Sequence, residues 1–517
     1  MKKNPLVLTF DCGTQSIRAL LFDKQGNIIG KAQKYFQPYY SPKAEWAEQH
    51  PEVYKDAIVE VSKSLKDKCR DVWEDIIGVT STTIRDTCVC MDKNGEVLRP
   101  IIVWLDQREA ECKEKLPLIS RLAFLLVGMK ETINVQRKIT KSNWIIENEK
   151  EIWDKTYKYV MFSGFITHFL TGKFIDSSAS QVGHVPIDYK SKKWKKTSDV
   201  QFPVFNVPKS KLCELVPPGG ILGYISKEFS ELTGITEGLP VIATGSDKAC
   251  ETLGCGVVSE DMVSLSFGTT ATVQFATKKY IEPQKFLPAY PSVIADIYNP
   301  EIQIYRGYWM VSWFKKEFAE KEVMQAAELG VSAEELLNIR LKEIPAGCDG
   351  LMLQPLWAPM LKNPEGKGAI IGFNDVHTRV HIYRAIIEGI GFALIDGMRH
   401  VEKRIGTKIT AATVSGGGSQ SDEICQITAD MFGVPVMRIQ TYEACSLGSS
   451  LVAFVALNEF NSYEEAIKSM VHYKDTFIPD EKTNKIYNEL SEIYRGLYWR
   501  LKPCYIKLKR ITKKERK

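Results

Sequence analysis

Hydrophobic and polar residues alternate along two similar segments of the chain. Residues 8–22 and residues 263–275 each contain an alternating apolar stretch, a Gly-Thr turn and a second alternating stretch. Alternation with a period of two predicts β-strands, and two strands joined by a short glycine turn predict a β-hairpin. Since one copy lies in each half of the chain, the sequence predicts two related domains.

Each of these turns has the chemistry of a phosphate-binding loop. Glycine lets backbone N–H groups approach a ligand closely, and the neighbouring hydroxyls add further donors. Two such turns predict that the two domains hold one polyphosphate between them. The first copy has Asp11 before its glycine, whereas the second has Ser266. One carboxylate suits one shared Mg²⁺, because phosphate-bound magnesium usually takes only one or two protein carboxylates.

Helical and strand patterns alternate through the rest of the chain and predict an α/β fold. We place the N-terminal domain at residues 1–256, the C-terminal domain at 257–475, and a terminal helix with a basic tail at 476–517. No low-complexity linker separates the halves, so we expect an extensive interface between them. A helix predicted over residues 378–406 carries small residues at every fourth position, which suits either a mobile domain junction or ordinary tight packing.

The composition is that of a soluble protein with a basic tail. The chain has 517 residues, of which 44% are hydrophobic and 25% are charged, as is ordinary for two globular domains. The formal net charge is +5, but residues 507–517 hold seven Lys/Arg and one Glu, so the remainder is close to neutral. Charge therefore excludes a nucleic-acid partner for the body of the protein, and we expect the tail to fray.

The cysteines and the apolar runs predict the compartment. Twelve cysteines are scattered along the chain and none forms a C-x-x-C pair, so neither a zinc site nor a thioredoxin-like motif is expected. The N-terminus lacks a long apolar region, which argues against a signal peptide. No apolar run reaches the roughly 18 residues that span a bilayer. The sequence therefore predicts a cytoplasmic protein with no membrane partner.

A glycine cluster at residues 416–418 follows an apolar stretch and precedes a predicted helix. A strand, a glycine turn and a helix N-terminus form a site where a base or a phosphate can lie against bare backbone. The alternative is a plain loop. No G-x-x-x-x-G-K-[ST] sequence occurs, and the Gly-x-Gly at residues 254–256 lacks the third glycine of a dinucleotide fingerprint. Any nucleotide is therefore held in another way.

Three charged residues follow predicted strands and are candidates for substrate chemistry. Asp247 comes after an apolar run and Gly-Ser, where a carboxylate can accept a proton from a substrate hydroxyl. The alternative is that Asp247 caps the next helix. Arg85 and Asp86 lie between two strands, where they can donate to and accept from neighbouring hydroxyls of a sugar or polyol. Their alternative is a solvated turn.

Two histidines, His377 and His381, lie four residues apart, which is the spacing of zinc ligands on a helix. No Glu lies between them, and the sequence offers no evident third ligand. We therefore expect surface histidines rather than a metal site.

Taken in order, these elements resemble the FGGY family of carbohydrate kinases, in the actin/hexokinase/Hsp70 ATPase superfamily. The resemblance covers nearly the whole chain, from Leu6 to about Leu457, and is strongest to uncharacterised sugar kinases of the family. The segments that carry it are residues 10–16, 46–51, 104–108, 245–247, 266–270, 368–373, 381–388, 415–418 and 443–448.

The resemblance implies two ribonuclease-H-like domains of the actin-like ATPase kind, with a cleft between them that holds ATP and Mg²⁺ and, deeper inside, the sugar. It implies that Asp11 faces the metal and that Asp247 is the catalytic base, which overturns the capping alternative. The ATP-binding residues that it implies are Gly13, Thr14, Gln15, Ser16, Gly268, Thr269, Thr270, Gly417, Gly418 and Ser421, and the substrate-binding residues are Arg85, Asp86, Trp104 and Asp247.

The chain departs from related kinases at two places. Glycerol kinases have Arg-Glu and xylulokinases have Met-His where this chain has Arg85-Asp86. Because Asp is one methylene shorter than Glu, the floor of the sugar site differs, and the resemblance does not name the sugar. Glycerol kinases favour Asn where this chain has Ser421, so the contacts to the base differ as well.

We therefore predict an enzyme, a carbohydrate kinase that uses ATP to phosphorylate a hydroxyl of a small sugar, ketose or polyol. Its two domains close around both substrates and exclude water, while Asp247 orients and deprotonates the hydroxyl. The alternative is a non-catalytic or chaperone-like nucleotide switch of the same superfamily, and Asp247 beside the Arg85-Asp86 pair favours the kinase. The sugar, the hydroxyl and the oligomeric state, a homodimer included, stay open.

Overall fold

The structure, a computed structural model, describes residues 4–284, 287–358 and 365–514. The chain forms two compact units. The first unit comprises the chain up to Gly254 together with Tyr290–Tyr298 and Glu443–Val471, and the second comprises Cys255–Ala289, Asn299–Tyr442 and the chain from His472 onward. We predicted that the N-terminal domain ends at residue 256, and after that residue the chain returns to the first unit twice.

The described strands, in chain order, are β1 (Leu6–Cys12), β2 (Ser16–Phe22), β3 (Ile28–Tyr35), β4 (Glu48–Gln49), β5 (Ile76–Thr83), β6 (Cys88–Met91), β7 (Ile101–Ile102), β8 (Lys158–Met161), β9 (Ile175–Ser177), β10 (Ile187–Asp188), β11 (Lys193–Trp194), β12 (Glu214–Val216), β13 (Ile221–Tyr224), β14 (Pro240–Ile242), β15 (Met262–Phe267), β16 (Ala271–Phe275), β17 (Tyr290–Pro291), β18 (Tyr298–Asn299), β19 (Glu301–Ile304), β20 (Met352–Gln354), β21 (Ala369–Ile371), β22 (Ala411–Ser415), β23 (Val436–Ile439) and β24 (Tyr473–Phe477).

The described α-helices are α1 (Pro51–Lys68), α2 (Leu118–Leu126), α3 (Lys130–Ile139), α4 (Lys141–Asn148), α5 (Lys150–Lys155), α6 (Phe162–Thr171), α7 (Phe202–Phe205), α8 (Lys227–Thr233), α9 (Asp247–Gly254), α10 (Trp309–Phe318), α11 (Glu320–Leu329), α12 (Ala333–Ile339), α13 (Arg379–Ile405), α14 (Asp422–Phe432), α15 (Ala444–Ala456), α16 (Tyr463–Met470) and α17 (Glu481–Lys514).

The main sheet of the first unit has the strand order β13-β14-β5-β1-β2-β3. Strands β1, β2 and β3 form an antiparallel meander, and β5 and β14 extend it in parallel with β1. Every residue of β1 is buried, as expected for a central strand covered on both faces. Parallel strands end at the same edge of a sheet, so the residues that follow β1, β5 and β14 come together there.

The main sheet of the second unit repeats this topology. Its order is β19-β16-β15-β22-β23-β24, with β15, β16 and β19 antiparallel and β22 and β23 parallel to β15. In both sheets the first two strands are joined by a three-residue turn, at residues 13–15 and 268–270. The two predicted hairpins and the predicted α/β fold of two related ribonuclease-H-like domains are therefore confirmed.

Two glycines let helices α9 and α15 of the first unit cross closely. A Cβ built on Gly254 would lie 1.9 Å from the carbonyl oxygen of Ala444, and one built on Gly448 would lie 1.9 Å from that of Cys250. No larger residue fits at either position without moving backbone. Helix α15 also packs against β1 and β5, so this crossing supports the strands whose ends carry the candidate residues.

The glycines of α13 pack inside the second unit. A Cβ on Gly389 would lie 2.5 Å from the carbonyl oxygen of Leu353, and one on Gly397 would lie 2.6 Å from the side chain of Ile302. The helix agrees with its predicted limits to within one residue at each end. Its small residues therefore serve tight core packing, the second of the two interpretations that the sequence allowed.

The C-terminal helix begins after residue 476 and continues through most of the basic segment. Residues 476 and 477 belong to strand β24, and α17 runs from Glu481 to Lys514, with Pro503 inside it. The basic segment thus continues a helix instead of fraying, at least as far as Lys514, while residues 515–517 of the predicted tail lie outside the described residues. Within the described parts of the chain, no helix combines the length and the apolar character that crossing a bilayer requires.

Candidate functional site

Asp11, Asp86 and Asp247 lie at one edge of the first unit's sheet. Asp11 is near the end of β1, Asp86 follows β5, and Asp247 follows β14 and begins α9. These three strands are adjacent and parallel, so their carboxyl ends deliver the side chains to the same place. Open α/β sheets generally bind ligands at this edge.

Asp11 forms the centre of a charged group. Arg18 Nη1 donates to Asp11 Oδ2 at 2.9 Å and lies 3.3 Å from Glu443 Oε2. Burial raises the pKa of Asp11 to about 6, Glu443 and Asp247 add to this rise, and Arg18 opposes it. A buried carboxylate near two others favours a bound proton or a cation.

Sequence reasoning missed Arg18 and gave Glu443 no role of its own. The register of the first hairpin places Arg18 directly opposite Asp11. Lys31 Nζ also contacts Glu443, at 2.5 Å, so Glu443 is held by two cations. The pairing of Arg18 with Asp11 can be predicted from the hairpin sequence alone, because a three-residue turn fixes which residues face each other across β1 and β2.

Asp247 is the first residue of α9, so the helix-capping position belongs to Ser246 before it. Its Oδ1 accepts a hydrogen bond from the backbone N–H of Lys248 at 2.8 Å. Desolvation raises the pKa of Asp247, although Arg85 and Lys248 oppose the rise. The side chain remains 31% exposed. A carboxylate with a raised pKa that a ligand can reach has the properties of a general base.

Arg85 lies beside Asp247 and beneath an aromatic ring. Its Nε is 3.6 Å from Asp247 Oδ1, and its guanidinium carbon is 5.4 Å from the centre of the Tyr290 ring. The Arg85 side chain is 17% exposed and that of Asp86 is 27% exposed. The pair is therefore not a solvated turn, which was the alternative that the sequence left open.

Asp86 is held by His184, a residue that sequence reasoning missed. Asp86 has a positive φ of 50°, which Asp tolerates better than most residues. Its carboxylate accepts from the backbone N–H of His184 at 2.9 Å and from Nδ1 of the same residue at 2.8 Å. Burial would raise the pKa of Asp86, but the contacts with His184, together with the charge of Lys141, lower it.

Trp104 contacts the first glycine turn. Its indole Nε1 donates to Thr14 Oγ1 at 3.0 Å, and its own backbone N–H donates to Thr87 Oγ1. The side chain is exposed. Trp104, predicted to bind substrate, thus lies against Thr14, predicted to bind ATP.

The first turn keeps its shape through backbone contacts. Gly13 N–H donates to the carbonyl of Ser16 at 3.0 Å, and the Gln15 carbonyl accepts from Phe36 N–H. Ser16 is the first residue of β2, is buried, and its hydroxyl accepts from Gln33. Gln15 is exposed, and Gly13 and Thr14 are partly buried.

The second unit brings its own turn and the glycine cluster together around Tyr308. Tyr308 N–H donates to the carbonyl of Gly268 at 3.1 Å. A Cβ on Gly418 would lie 2.5 Å from the Tyr308 ring, whereas one on Gly417 would meet open space. The two segments predicted to bind ATP in this unit are thus neighbours, because β15 and β22 pair in parallel just before them.

The hydroxyls of Thr270 and Ser421 have structural partners. Thr270 Oγ1 donates to the carbonyl of Tyr305 at 3.2 Å, and the Thr269 carbonyl accepts from Trp309 N–H. Ser421 caps α14, since its Oγ accepts from Ile424 N–H at 3.2 Å. Both segments are therefore fixed by their own contacts.

The prediction that His377 and His381 are surface histidines is wrong for His381. His381 is buried and bonds Thr378 in a capping box at the start of α13, while its Nε2 lies 3.2 Å from Asp349. His377 precedes the helix, and its Nε2 contacts the carbonyl of Cys348. Among the residues that the structure describes, no group of three or more His, Cys, Asp or Glu side chains is arranged to hold a metal ion.

Comparison with known proteins identifies relatives of both halves. The profile for the N-terminal domain of the FGGY family of carbohydrate kinases matches residues 6–254, and the profile for its C-terminal domain matches residues 263–457. The uncharacterized sugar kinase YgcE of Escherichia coli is 29% identical over 95% of this chain and 93% of its own. A xylulose kinase of Lactococcus lactis is 27% identical over 95% of this chain and 96% of its own.

Solved structures show the same fold. The crystal structure of gluconate kinase from Lactobacillus acidophilus superposes with a TM-score of 0.81 at 20% sequence identity. The alignment covers 98% of this chain and 100% of that protein. The likeness therefore extends over both units.

Proposed function

Because this chain belongs to the FGGY family of carbohydrate kinases, we propose that it transfers the terminal phosphoryl group of ATP to a hydroxyl of a small sugar, ketose or polyol, with Asp247 as the general base. Membership of a family of phosphotransferases makes the chain an enzyme and removes the support for a non-catalytic nucleotide switch. The substrate, the base and the metal are the parts that we propose.

The observation that supports this proposal most strongly is the arrangement of Arg85 and Asp247. Asp247 combines a pKa raised by desolvation with a partly exposed carboxylate, and Arg85 lies 3.6 Å from it. In the proposed reaction Asp247 accepts the proton of the substrate hydroxyl, whose oxygen attacks the terminal phosphorus of ATP as the bond to ADP breaks. Arg85 donates to a neighbouring substrate hydroxyl and keeps Asp247 oriented.

Asp11 fits the role of the Mg²⁺ ligand. Its carboxylate is buried, and its pKa is raised to about 6 by burial and by the nearby Glu443 and Asp247, so a hard divalent cation would offset an unfavourable charge. A single protein carboxylate is enough for magnesium that also binds phosphates and water. When bound, the ion would neutralise phosphate charge during transfer.

The glycine-threonine turns fit the phosphates. Thr14 and Gln15 are accessible in the first turn, and exposed backbone N–H groups and hydroxyls of such turns are donors to phosphate oxygens. In the second unit, we place Gly268, Thr269 and Thr270 at the phosphates. The open space over Gly417 leaves room for the flat face of adenosine, beside Gly418 and Ser421.

A coupled assay of ADP release tests the proposal. Pentuloses, hexuloses, polyols and aldonates are offered with ATP, with and without Mg²⁺, because the named relatives act on a ketose and on a sugar acid. We expect Mg²⁺-dependent ADP release with at least one compound and none without a sugar. ADP release that no compound in the series stimulates would contradict the proposal.

A further inference from the structure

The loop that carries His184 is built to hold Asp86. Asp86 N–H donates to the carbonyl of Val182 at 2.9 Å, and both carboxylate oxygens lie within 2.9 Å of His184 Nδ1. A Cβ on Gly183 would lie 2.6 Å from Asp86 Oδ1, so the close approach requires glycine between Val182 and His184. Tyr189 Oη accepts from Gly183 N–H at 3.2 Å and holds the loop from its other side.

This arrangement fixes the chemistry of the His184 ring. An ionised carboxylate only accepts, so Nδ1 carries the proton and donates to Asp86. In the neutral imidazole Nε2 is then an acceptor, on the ring edge opposite Asp86. The His184 side chain is 25% exposed, and within the described residues its hydrogen bonds are those to Asp86 alone. Nε2 is therefore available to a ligand.

A chain of neighbouring residues connects His184 to the proposed base, Asp247. Asp247 contacts Arg85, Arg85 precedes Asp86 in the chain, and Asp86 holds His184. The ring of Tyr290 covers the Arg85 guanidinium and meets Tyr189 edge-on, 5.6 Å between centroids. His184 is thus linked to Arg85 and Asp247 in two ways, through Asp86 and through the rings of Tyr290 and Tyr189.

The cations in this region are each matched by a carboxylate. Arg85 is paired with Asp247, and Lys248 with Glu251 at 2.6 Å. Lys141, which also acts on Asp86, is bonded to Asp106. A substrate carboxylate would enter a region without surplus positive charge, which is unfavourable when water is excluded. A neutral polyhydroxy compound has no such cost.

Resting on the proposed kinase function, we propose that His184, oriented by Asp86, accepts a hydrogen bond from a substrate hydroxyl through Nε2 and selects a neutral ketose or polyol over a sugar acid. Asp86 is then a positioning residue that acts through His184. The imidazole distinguishes a hydroxyl from a carboxylate, since a hydroxyl can donate to Nε2 and a carboxylate cannot.

The test measures kcat and KM of the full-length protein by ADP release with D-xylulose, D-fructose, ribitol and D-sorbitol, and with D-gluconate, which differs from D-sorbitol by a carboxylate in place of a hydroxymethyl group. We expect kcat/KM to be at least about tenfold higher for the best neutral compound than for D-gluconate, as one lost or unfavourable polar contact costs this much. A preference for D-gluconate would overturn the inference and leave the kinase function standing. Turnover of none of the five would overturn the inference, whereas the kinase function fails only if no compound of the wider series stimulates ADP release.

Two substitutions separate recognition from structure. His184→Asn keeps an N–H near Nδ1 for Asp86 and removes Nε2, whereas His184→Gln places a polar atom near Nε2. We expect the KM of the neutral substrate to rise about tenfold or more in His184→Asn, with kcat and the KM of ATP within about threefold, and a smaller rise in His184→Gln. An unchanged sugar KM in His184→Asn would overturn the inference. If that variant does not fold, an unchanged sugar KM in both His184→Gln and Asp86→Asn would overturn it.

Tyr189→Phe is the control for the loop itself. It removes the hydroxyl that bonds Gly183 but leaves His184 and Asp86 in place. We expect a lower thermal midpoint and a sugar KM within about twofold of the wild type. A rise in sugar KM as large as that of His184→Asn would show that the loop, and not Nε2, carries the effect.

Discussion

Asp11 and Arg18 lie directly opposite each other across the first hairpin, and Arg18 Nη1 donates to Asp11 Oδ2 at 2.9 Å. Arg18 also contacts Glu443, so one cation serves two carboxylates. The charge of Arg18 does not offset the effect of burial on Asp11, because the pKa of Asp11 still rises to about 6. The ionised carboxylate is therefore held at a cost to stability, which is common at functional sites.

Asp11→Asn should stabilise the metal-free protein at neutral pH while lowering Mg²⁺-dependent turnover. A raised pKa means that the favourable contribution of Asp11 is present below pH 4 and is lost as the pH rises through about 6. A shift from 3.8 to about 6 corresponds to about 3 kcal/mol. Thermal unfolding in EDTA between pH 4 and pH 8 should show the difference growing with pH.

The opposite trend would be a variant that is less stable than the wild type at pH 8 and equal to it at pH 4. That trend would show that Arg18 stabilises the ionised Asp11 carboxylate by more than burial destabilises it. Wild-type turnover of Asp11→Asn at limiting Mg²⁺ would remove the metal assignment.

Gly254→Ala should destabilise the first unit. The new Cβ would lie 1.9 Å from the carbonyl oxygen of Ala444, and overpacking against backbone costs about 1–3 kcal/mol or more. Gly496→Ala in α17 is the matched control: its Cβ meets nothing closer than 3.7 Å, so it should stabilise by up to about 1 kcal/mol. Urea unfolding of both variants measures the difference, and equal effects would argue against a close crossing of α9 and α15.

Gly417→Ala and Gly418→Ala should have different effects. Alanine at Gly417 enters open space, so the fold should hold, while the KM of ATP should rise about fivefold or more if adenosine lies there. Alanine at Gly418 meets the Tyr308 ring and should lower the thermal midpoint. Thermal unfolding and ATP kinetics check both, and an unchanged KM of ATP in Gly417→Ala would place the adenosine elsewhere.

Deletion of residues 507–517 should leave kinase activity nearly unchanged. The described side chains from Ile506 to Thr512 are exposed, so the deletion removes little buried surface and should change stability by less than about 1 kcal/mol. Deletion from Tyr498 should be far more costly, because Tyr498 and Tyr505 pack against Leu356 and Tyr505 bonds Gln354. Loss of most activity in the shorter deletion would mean that the basic segment has a role in catalysis.

The sequence predicted the hairpins, the fold class and α13 because each depends on a local pattern. Alternation of polar and apolar residues and a glycine turn are visible within about a dozen residues. The register of a hairpin is equally local, so the pair Asp11 and Arg18 was within reach of the same reasoning.

The partners of Arg85 and Asp86 could not be predicted in this way. Tyr290 belongs to a segment that returns to the first unit from the other half of the chain. Such a return cannot be predicted from a local sequence pattern. His184 lies about a hundred residues from Asp86, and their contact depends on a loop conformation that Gly183 permits. His381 was misjudged because the helix begins at Arg379, which makes His381 a capping residue.

Asp247→Asn tests the central claim most directly. Asn keeps the shape of the side chain but cannot accept the proton, so kcat should fall by about 10²- to 10⁴-fold while the KM values of sugar and ATP stay within about threefold. The control is Asp480→Asn, since Asp480 accepts from Thr483 N–H at the start of α17 and Asn caps equally well; its kcat should match the wild type. A loss of kcat under about threefold in Asp247→Asn would contradict the assignment of Asp247 as the base.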